Sequence, residues 1–113
     1  AIRNASSLDK VFHALGDESR RKILSIINNR RECTAGELVE LFESAQPTIS
    51  KHLKVLESAG LISRRIEGRR HFFEPRLAEL RNAELWMKRQ LYCWRNSLDK
   101  LDQHLSDIEL MDK

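Results

Sequence analysis

The sequence predicts a mainly α-helical fold with one small β-hairpin and a long helix toward its C-terminal end. Apolar residues recur at intervals of three and four along most of the 113-residue chain, which is the spacing of one buried helix face. The pattern changes to two short strand-like runs within residues 61–74 and returns to helical spacing after Pro75. Two prolines and four glycines interrupt the chain, and no repeat or low-complexity segment is present. We therefore expect a single domain over residues 1–113.

Four helices are predicted before the hairpin. Helical spacing of apolar residues begins after Ser7 and again after Asp17, a residue type suited to capping a helix. Thr34, with a glutamate three residues later, has the capping-box pattern that starts the third helix. A fourth helix is expected over residues 46–59 and ends before Gly60. Two helices of this length joined by a few residues are typical of a helix-turn-helix.

The predicted fourth helix has a polar face near its start. Its apolar residues Ile49, Leu53 and Leu56 occupy the opposite face. A recognition helix offers its first two turns to the major groove of DNA, where glutamine and lysine read base edges and hydroxyls contact phosphate. A solvated surface helix explains any one of these side chains equally well, but the set taken together favours DNA. The candidate DNA-binding residues of this helix are Gln46, Thr48, Ser50, Lys51, His52 and Lys54.

The predicted hairpin carries four arginines within seven residues. Its two runs, residues 61–66 and 69–73, flank Glu67-Gly68, which is expected to form a two-residue turn. Such a cluster of guanidinium groups, with one acid among them, repels itself unless an anion lies nearby. Arginine at a hairpin tip is suited to phosphate contacts or to insertion into a narrow minor groove. The candidate DNA-binding residues of the hairpin are Arg64, Arg65, Arg69 and Arg70.

The last helix is predicted over residues 77–110 and carries a heptad repeat of apolar residues. The repeat alternates steps of four and three, as do the a and d positions of a coiled coil. A helix of some 30 residues is ~45 Å long and cannot bury a full stripe against one small domain. A homodimer seam is the simplest and favoured partner, and we expect some packing against the chain's own first helices as well. The expected dimerisation residues are Met87, Leu91, Trp94, Leu98, Leu101, Leu105 and Ile108.

Charge and composition exclude several classes of protein. The net charge is +3, and the first 98 residues carry +6 because residues 99–113 contribute −3. A basic body with an acidic end suits the approach of one face to a polyanion. No apolar run approaches the ~20 residues that span a bilayer, and two cysteines without a secretory pattern indicate the reducing cytoplasm. No phosphate loop, nucleophile motif or paired metal-ligand motif indicates an enzyme.

Four segments of the chain resemble the ArsR/SmtB family of winged helix-turn-helix repressors. The resemblance covers roughly residues 8–75, and its most specific part is SKHL at 50–53 followed by AGL at 59–61. It implies a homodimer that binds an operator in double-stranded DNA and blocks transcription, with a recognition helix at 46–59 and a wing at 63–73. The last helix is similar to that of a family branch that ends in a Trp- and Leu-bearing coiled segment. The four segments are ALGDESRRKIL at 14–24, TAGELVELFE at 34–43, QPTISKHLKVLESAGLI at 46–62 and RRIEGRRHFFE at 64–74.

The chain departs from the metal-sensing members of that family. Members that sense metals through the third helix carry Cys-x-Cys-Asp, where residues 34–37 here read TAGE and supply no thiolate. Members that use the last helix carry Asp-x-His soon after the wing, followed by further ligands. Asp102 and His104 repeat that spacing far beyond the wing and without a second half. One carboxylate and one imidazole do not close a tetrahedral site, so no metal or other cofactor is expected.

Two alternatives to a plain repressor stay open from the sequence. Some family members pair a cysteine of the second helix with one in the last helix, which makes Cys33 and Cys93 a possible redox pair. Cys93 lies in a suitable helix, whereas Cys33 follows the second helix, and ordinary packing of both thiols is the competing interpretation. The other alternative is a winged-helix dimer that docks a protein along its heptad stripe without binding DNA. An effector is not identifiable from the sequence.

Overall fold

The computed structural model describes the backbone of residues 6–111 and the side chains of residues 6–105. The contacts divide the chain into two compact units, one ending at Ala83 and one beginning at Glu84, and the last helix contributes to both. The elements in chain order are α1 (Ser7–Leu15), α2 (Glu18–Arg30), β1 (Cys33–Thr34), α3 (Ala35–Phe42), α4 (Gln46–Ser58), β2 (Ile62–Glu67), β3 (Arg70–Pro75) and α5 (Ala78–Met111). The mainly α-helical class, the hairpin and the long last helix are therefore confirmed.

The helix starts follow from local capping. The Asp17 side chain accepts a hydrogen bond from the backbone N–H of Arg20, and Thr34 accepts one from that of Glu37. Only this half of the predicted capping box forms, because the Glu37 carboxylate accepts from the Cys33 thiol at 3.4 Å instead. α4 ends one residue earlier than predicted, and Gly60 follows with φ +77°, a left-handed conformation that favours glycine.

The sheet has three antiparallel strands in the order β1-β3-β2. The short strand β1 was not predicted, since two residues carry no strand pattern of their own, and it pairs Cys33 with Phe73. In the hairpin, Glu67 pairs with Arg70, so the turn residues are Gly68 and Arg69. The predicted Glu67-Gly68 turn is wrong by one residue. Gly68 has φ +61° at the first central position, which matches a type II′ hairpin turn.

The first unit has one hydrophobic core that holds the helix-turn-helix in place. Ile49, Leu53 and Leu56 of α4 are each at most 2% exposed, as their spacing predicted. They pack with buried residues of the other helices and with Phe73 of β3. The first turns of α5 belong to the same core through Leu80 and the buried Ala83. The opposite face of α4 is thereby directed to solvent.

In the second unit, α5 presents an unpartnered apolar stripe. The predicted dimerisation residues whose side chains are described are between 41% and 64% exposed in the single chain. Ile108, the last of them, lies outside the residues whose side chains are described. No helix within residues 6–111 combines the length and the apolar character that spanning a bilayer requires.

Candidate nucleic-acid interface

The start of α4 forms a polar surface next to the hairpin. Gln46, Thr48, Ser50, Lys51 and Lys54 are exposed, as predicted for a helix that offers this face to a ligand. Pro47 occupies the first turn, and no side chain caps the helix at Ala45. Gln46 and Thr48 belong to the first turn of α4, where the partial positive charge of the helix N-terminus favours an anion.

His52 differs from the other candidates on α4 because it is only half-exposed. It lies near the start of α2, where the pKa of Asp17 is lowered. The hydrogen bond from the Arg20 backbone is the largest cause, and the charges of Arg20 and His52 add smaller contributions. His52 therefore faces α2 as well as solvent.

Arg65 is held within an ionic cluster in the middle of the hairpin, where it pairs with Phe72 across the strands. Its guanidinium is 3.0 Å from the Glu32 carboxylate and 3.2 Å from that of Glu67, and it also pairs with Glu74. Phe72 stacks below it, with the ring centroid 4.9 Å from the guanidinium carbon. The hydrogen bond to Glu32 is the main reason that the pKa of Arg65 lies above its usual value.

Arg64 is also paired, although less completely. Its guanidinium lies 3.4 Å from the Glu57 carboxylate and 3.2 Å from Nδ1 of His71. The ring of Phe73 lies under it at 5.1 Å. For Arg64 and Arg65 the nearby anions that the sequence led us to expect are carboxylates of the chain itself.

Arg69 and Arg70 are the two arginines that retain unmatched charge. Both are exposed at the hairpin tip, and neither meets a carboxylate among residues 6–105. Arg70 also stacks on Phe72, with its guanidinium carbon 5.3 Å from the ring centroid. The separation of the four arginines into two paired and two unmatched groups could not be seen in the sequence, since Glu32 is 33 residues from Arg65.

A cleft of about 370 Å³ lies between the hairpin, the start of α4 and the start of α3, and we call it the wing cleft. Its polar walls combine hairpin cations with the amide and hydroxyl groups of α4, and its floor is apolar. Sequence reasoning did not identify it, because its lining comes from three separate segments. The lining residues are Thr34, Ala35, Gly36, Gln46, Ser50, Leu53, Arg64, Arg69, Arg70, His71 and Phe73.

The basic residues at the start of α2 have structural partners. The Arg20 Nε donates to the backbone carbonyl of Ala14 at 2.9 Å, and Arg21 donates to that of Leu15 at 2.6 Å. These bonds satisfy carbonyls at the α1 C-terminus that have no partner within the helix. Lys22 pairs with Glu18 along the same helix.

The two cysteines have different environments. Cys33 is 1% exposed, and burial together with the Glu37 carboxylate raises the pKa of its thiol from 9.0 to about 11. Cys93 is exposed on α5. Because the thiolate is the reactive form, Cys33 is poorly suited to redox chemistry in this fold. Within the described ranges, no three His, Cys, Asp or Glu side chains are grouped so that they could hold a metal ion.

The helix-turn-helix, its three-stranded sheet and the basic hairpin define a winged helix-turn-helix of the DNA-binding class. Residues 17–64 match the family described as bacterial regulatory protein, arsR family. The chain is 34% identical over 80 residues to the transcriptional repressor SdpR of Bacillus subtilis, covering 71% of this chain and 88% of that protein. The chain therefore belongs to the arsR family, whose members are transcriptional regulators and not enzymes.

Solved structures agree with this assignment. An ArsR-like transcriptional regulator from Rhodococcus sp. RHA1 has a TM-score of 0.75 and 30% identity, covering 86% of this chain and 91% of that one. The homodimeric winged helix-turn-helix DNA-binding domain of Mb0332 from Mycobacterium bovis has a TM-score of 0.61 and 22% identity, covering 77% and 86%. At that identity, the second similarity establishes the fold alone.

Proposed function

We propose that this regulator is a cytoplasmic, sequence-specific repressor that acts as a homodimer on a palindromic operator. The observation that carries this proposal is the placement of the polar start of α4 beside the two unmatched arginines, Arg69 and Arg70. One surface then offers groups that read base edges next to groups that bind phosphate. SdpR, of which this chain covers 88%, is itself a transcriptional repressor.

In this proposal α4 enters the major groove. Gln46 and Lys51 are the candidates for base reading, because amide and ammonium groups can bond the exposed edges of bases. Thr48, Ser50 and Lys54 add contacts to the backbone, and the half-exposed His52 lies at the edge of this surface. The buried face of α4 fixes the helix rotation, so these side chains are presented together.

The wing contacts the flanking backbone or the minor groove. Arg69 and Arg70 supply the charge for this contact, since their guanidinium groups have no carboxylate partner among residues 6–105. Arg64 and Arg65 act mainly by holding the wing in position through Glu57, Glu32 and neighbouring side chains. The sequence listed all four as candidate DNA-binding residues without dividing these two roles among them.

The heptad stripe of α5 supplies the homodimer interface. Exposed leucines and a tryptophan at a and d positions lose contact with water only if a second helix covers them. A second copy of this chain offers a matching stripe, and Mb0332 is described as homodimeric. Two recognition helices would then lie ~34 Å apart and read two half-sites on one side of the duplex.

Selection of tight-binding duplexes from a random pool tests this function. We expect enrichment of an inverted repeat with half-site centres about one helical turn apart. Gln46→Ala and Lys51→Ala should then relax the base preference at defined positions, by ~1–3 kcal/mol where a bidentate contact is lost. Equal losses on selected and random DNA would contradict the base-reading role. Failure to enrich any sequence would favour the protein-docking alternative.

A further inference from the structure

We propose that the wing cleft is a binding site for one phosphate group, which comes either from the DNA backbone or from a small phosphomonoester. The two sources exclude each other, so a phosphorylated small molecule would act as an antagonist of DNA binding. The DNA half of this statement rests on the proposed function, whereas the small-molecule half does not.

The charge of the cleft is the first support. Arg64, Arg69 and Arg70 line it, and its lining residues include no aspartate or glutamate; Glu57, behind the lining, balances the charge of Arg64 alone. Two of these arginines have no carboxylate partner elsewhere among residues 6–105. Guanidinium groups match the geometry of phosphate oxygens, and pairing of this kind is stronger than a neutral hydrogen bond.

The cleft is also organised before any ligand arrives. Glu57, His71 and Phe73 hold the Arg64 guanidinium at the cleft wall from three sides. Arg70 is restrained by stacking on the Phe72 ring. A phosphate therefore meets two cations whose side chains are partly ordered already, which lowers the entropy lost on binding.

The remaining lining suits a phosphate ester. Gln46 and Ser50 offer neutral donors from α4, and Gly36 belongs to the first turn of α3, whose backbone N–H groups favour an anion. Ala35 and the largely buried Leu53 and Phe73 make the rest of the lining apolar. A volume of about 370 Å³ exceeds that of a lone phosphate and leaves room for a sugar.

Exclusion follows from shared residues. Gln46, Ser50, Arg69 and Arg70 belong both to the cleft and to the proposed DNA surface. A small phosphomonoester bound there removes these groups from the duplex. Because the ligand binds the free protein and not its DNA complex, linkage requires that it lower the apparent affinity for DNA.

Gly36→Glu is the discriminating variant, with Gly36→Gln as its matched neutral control. A Cβ at Gly36 would meet only the Thr34 hydroxyl at 3.9 Å, which is ordinary contact, and the position is exposed, so neither substitution forces a clash at the backbone. The position is in the first turn of α3, where an acidic residue is favourable for the helix. Thermal unfolding should show both variants folded, while only glutamate places a competing carboxylate in the cleft.

To test binding of a free small molecule, the protein is titrated with inorganic phosphate or adenosine 5′-monophosphate at constant ionic strength, and binding is monitored through the amide chemical shifts of the protein. We expect shifts at Gly36, Gln46 and His71 in the wild-type protein and in Gly36→Gln. Binding should weaken at least about fivefold in Gly36→Glu, the effect of one like charge at ~4 Å in a water-like dielectric. These probes should also displace a labelled duplex.

To test binding of a DNA phosphate, the affinity is measured for duplexes in which one backbone phosphate at a time is replaced by a neutral methylphosphonate. One replacement per half-site should weaken binding to the wild-type protein and to Gly36→Gln, but not further to Gly36→Glu. The proposal is overturned if the glutamate and glutamine variants behave alike in both measurements. If phosphate or adenosine 5′-monophosphate binds in the cleft but no duplex is ever bound, the proposed repressor function is wrong, whereas the cleft is still a site for small phosphorylated molecules.

Discussion

Replacing Arg69 and Arg70 together with alanine should reduce the salt dependence of DNA binding. Both side chains are exposed at the wing tip and neither meets a carboxylate among residues 6–105, so their full charge is available to phosphate. Each neutralised phosphate releases counterions when the protein binds, which makes affinity fall as salt rises. Removing both arginines removes part of that release on any DNA sequence.

The expected change in salt dependence follows if each guanidinium neutralises one DNA phosphate. Each lost contact lowers the slope of log affinity against log salt by ~0.9, so the double variant should lose ~1.8. Between 50 and 200 mM salt, the wild-type protein should therefore lose about twelvefold more affinity than the variant, beyond the decline that the two share. The melting temperature should change little, since exposed substitutions of this kind have small effects on stability.

Fluorescence anisotropy with one selected and one random duplex, over a salt series, measures these slopes. Arg89→Ala with Arg95→Ala is the matched control, because it removes the same charge from exposed positions on α5. Equal slopes for the wing variant and the wild-type protein would refute the assignment of Arg69 and Arg70. Equal slope changes for the wing variant and the α5 control would instead show an effect of net charge alone.

Arg65→Ala is a comparator from the same hairpin. Its charge is already matched by Glu32, Glu67 and Glu74, so the slope should change less than for loss of Arg69 or Arg70. Amide shifts along β2 and β3 should change more, because the ionic cluster that joins Glu32 to both strands is lost.

Two further predictions concern α5 and the cysteines. Leu98→Asp with Leu101→Asp should yield monomers in sedimentation velocity and a steep loss of operator affinity, since charges in a heptad seam oppose helix pairing. The control Leu85→Asp, at an exposed position on another face of α5, should stay dimeric. If the double variant also stayed dimeric, the dimer seam would lie elsewhere. Iodoacetamide at pH 7.5 should label Cys93 and leave Cys33 unlabelled until the protein is unfolded, as read by mass spectrometry. The reason is that a pKa of about 11 gives Cys33 about a hundredfold less thiolate than the ordinary pKa of 9.0 would. Equally rapid labelling of Cys33 in the folded protein would contradict its burial.

Much of the helical framework could be predicted from the sequence because its signals are local. The caps at Asp17 and Thr34 act within one turn, and they start helices where the pattern indicated. The periodicity of Ile49, Leu53 and Leu56 identified the buried face of α4, and therefore also its exposed face. Helical hydrogen bonds join residues four apart, so the pattern that places a helix is local even though packing supplies most of its stability.

The sheet was harder to predict because pairing is not local. β1 is a strand only because the backbone of Cys33 lies beside that of Phe73, which is 40 residues away in the chain. The hairpin turn shifted by one residue to Gly68 and Arg69, since the register of the two strands decides which residues remain unpaired. That shift places Arg69 in the turn itself.

The amino-acid sequence by itself determined the helix order, the polar face of α4, the family resemblance and the heptad repeat of α5, because each depends on neighbours within a few residues. Tertiary structure alone decided which arginines remain available to a ligand. Glu32 and Glu57 reach Arg65 and Arg64 only after the chain has folded, and Coulomb attraction falls off with distance in space, not in sequence. The wing cleft arises for the same reason, since its walls come from segments that meet only in the folded protein.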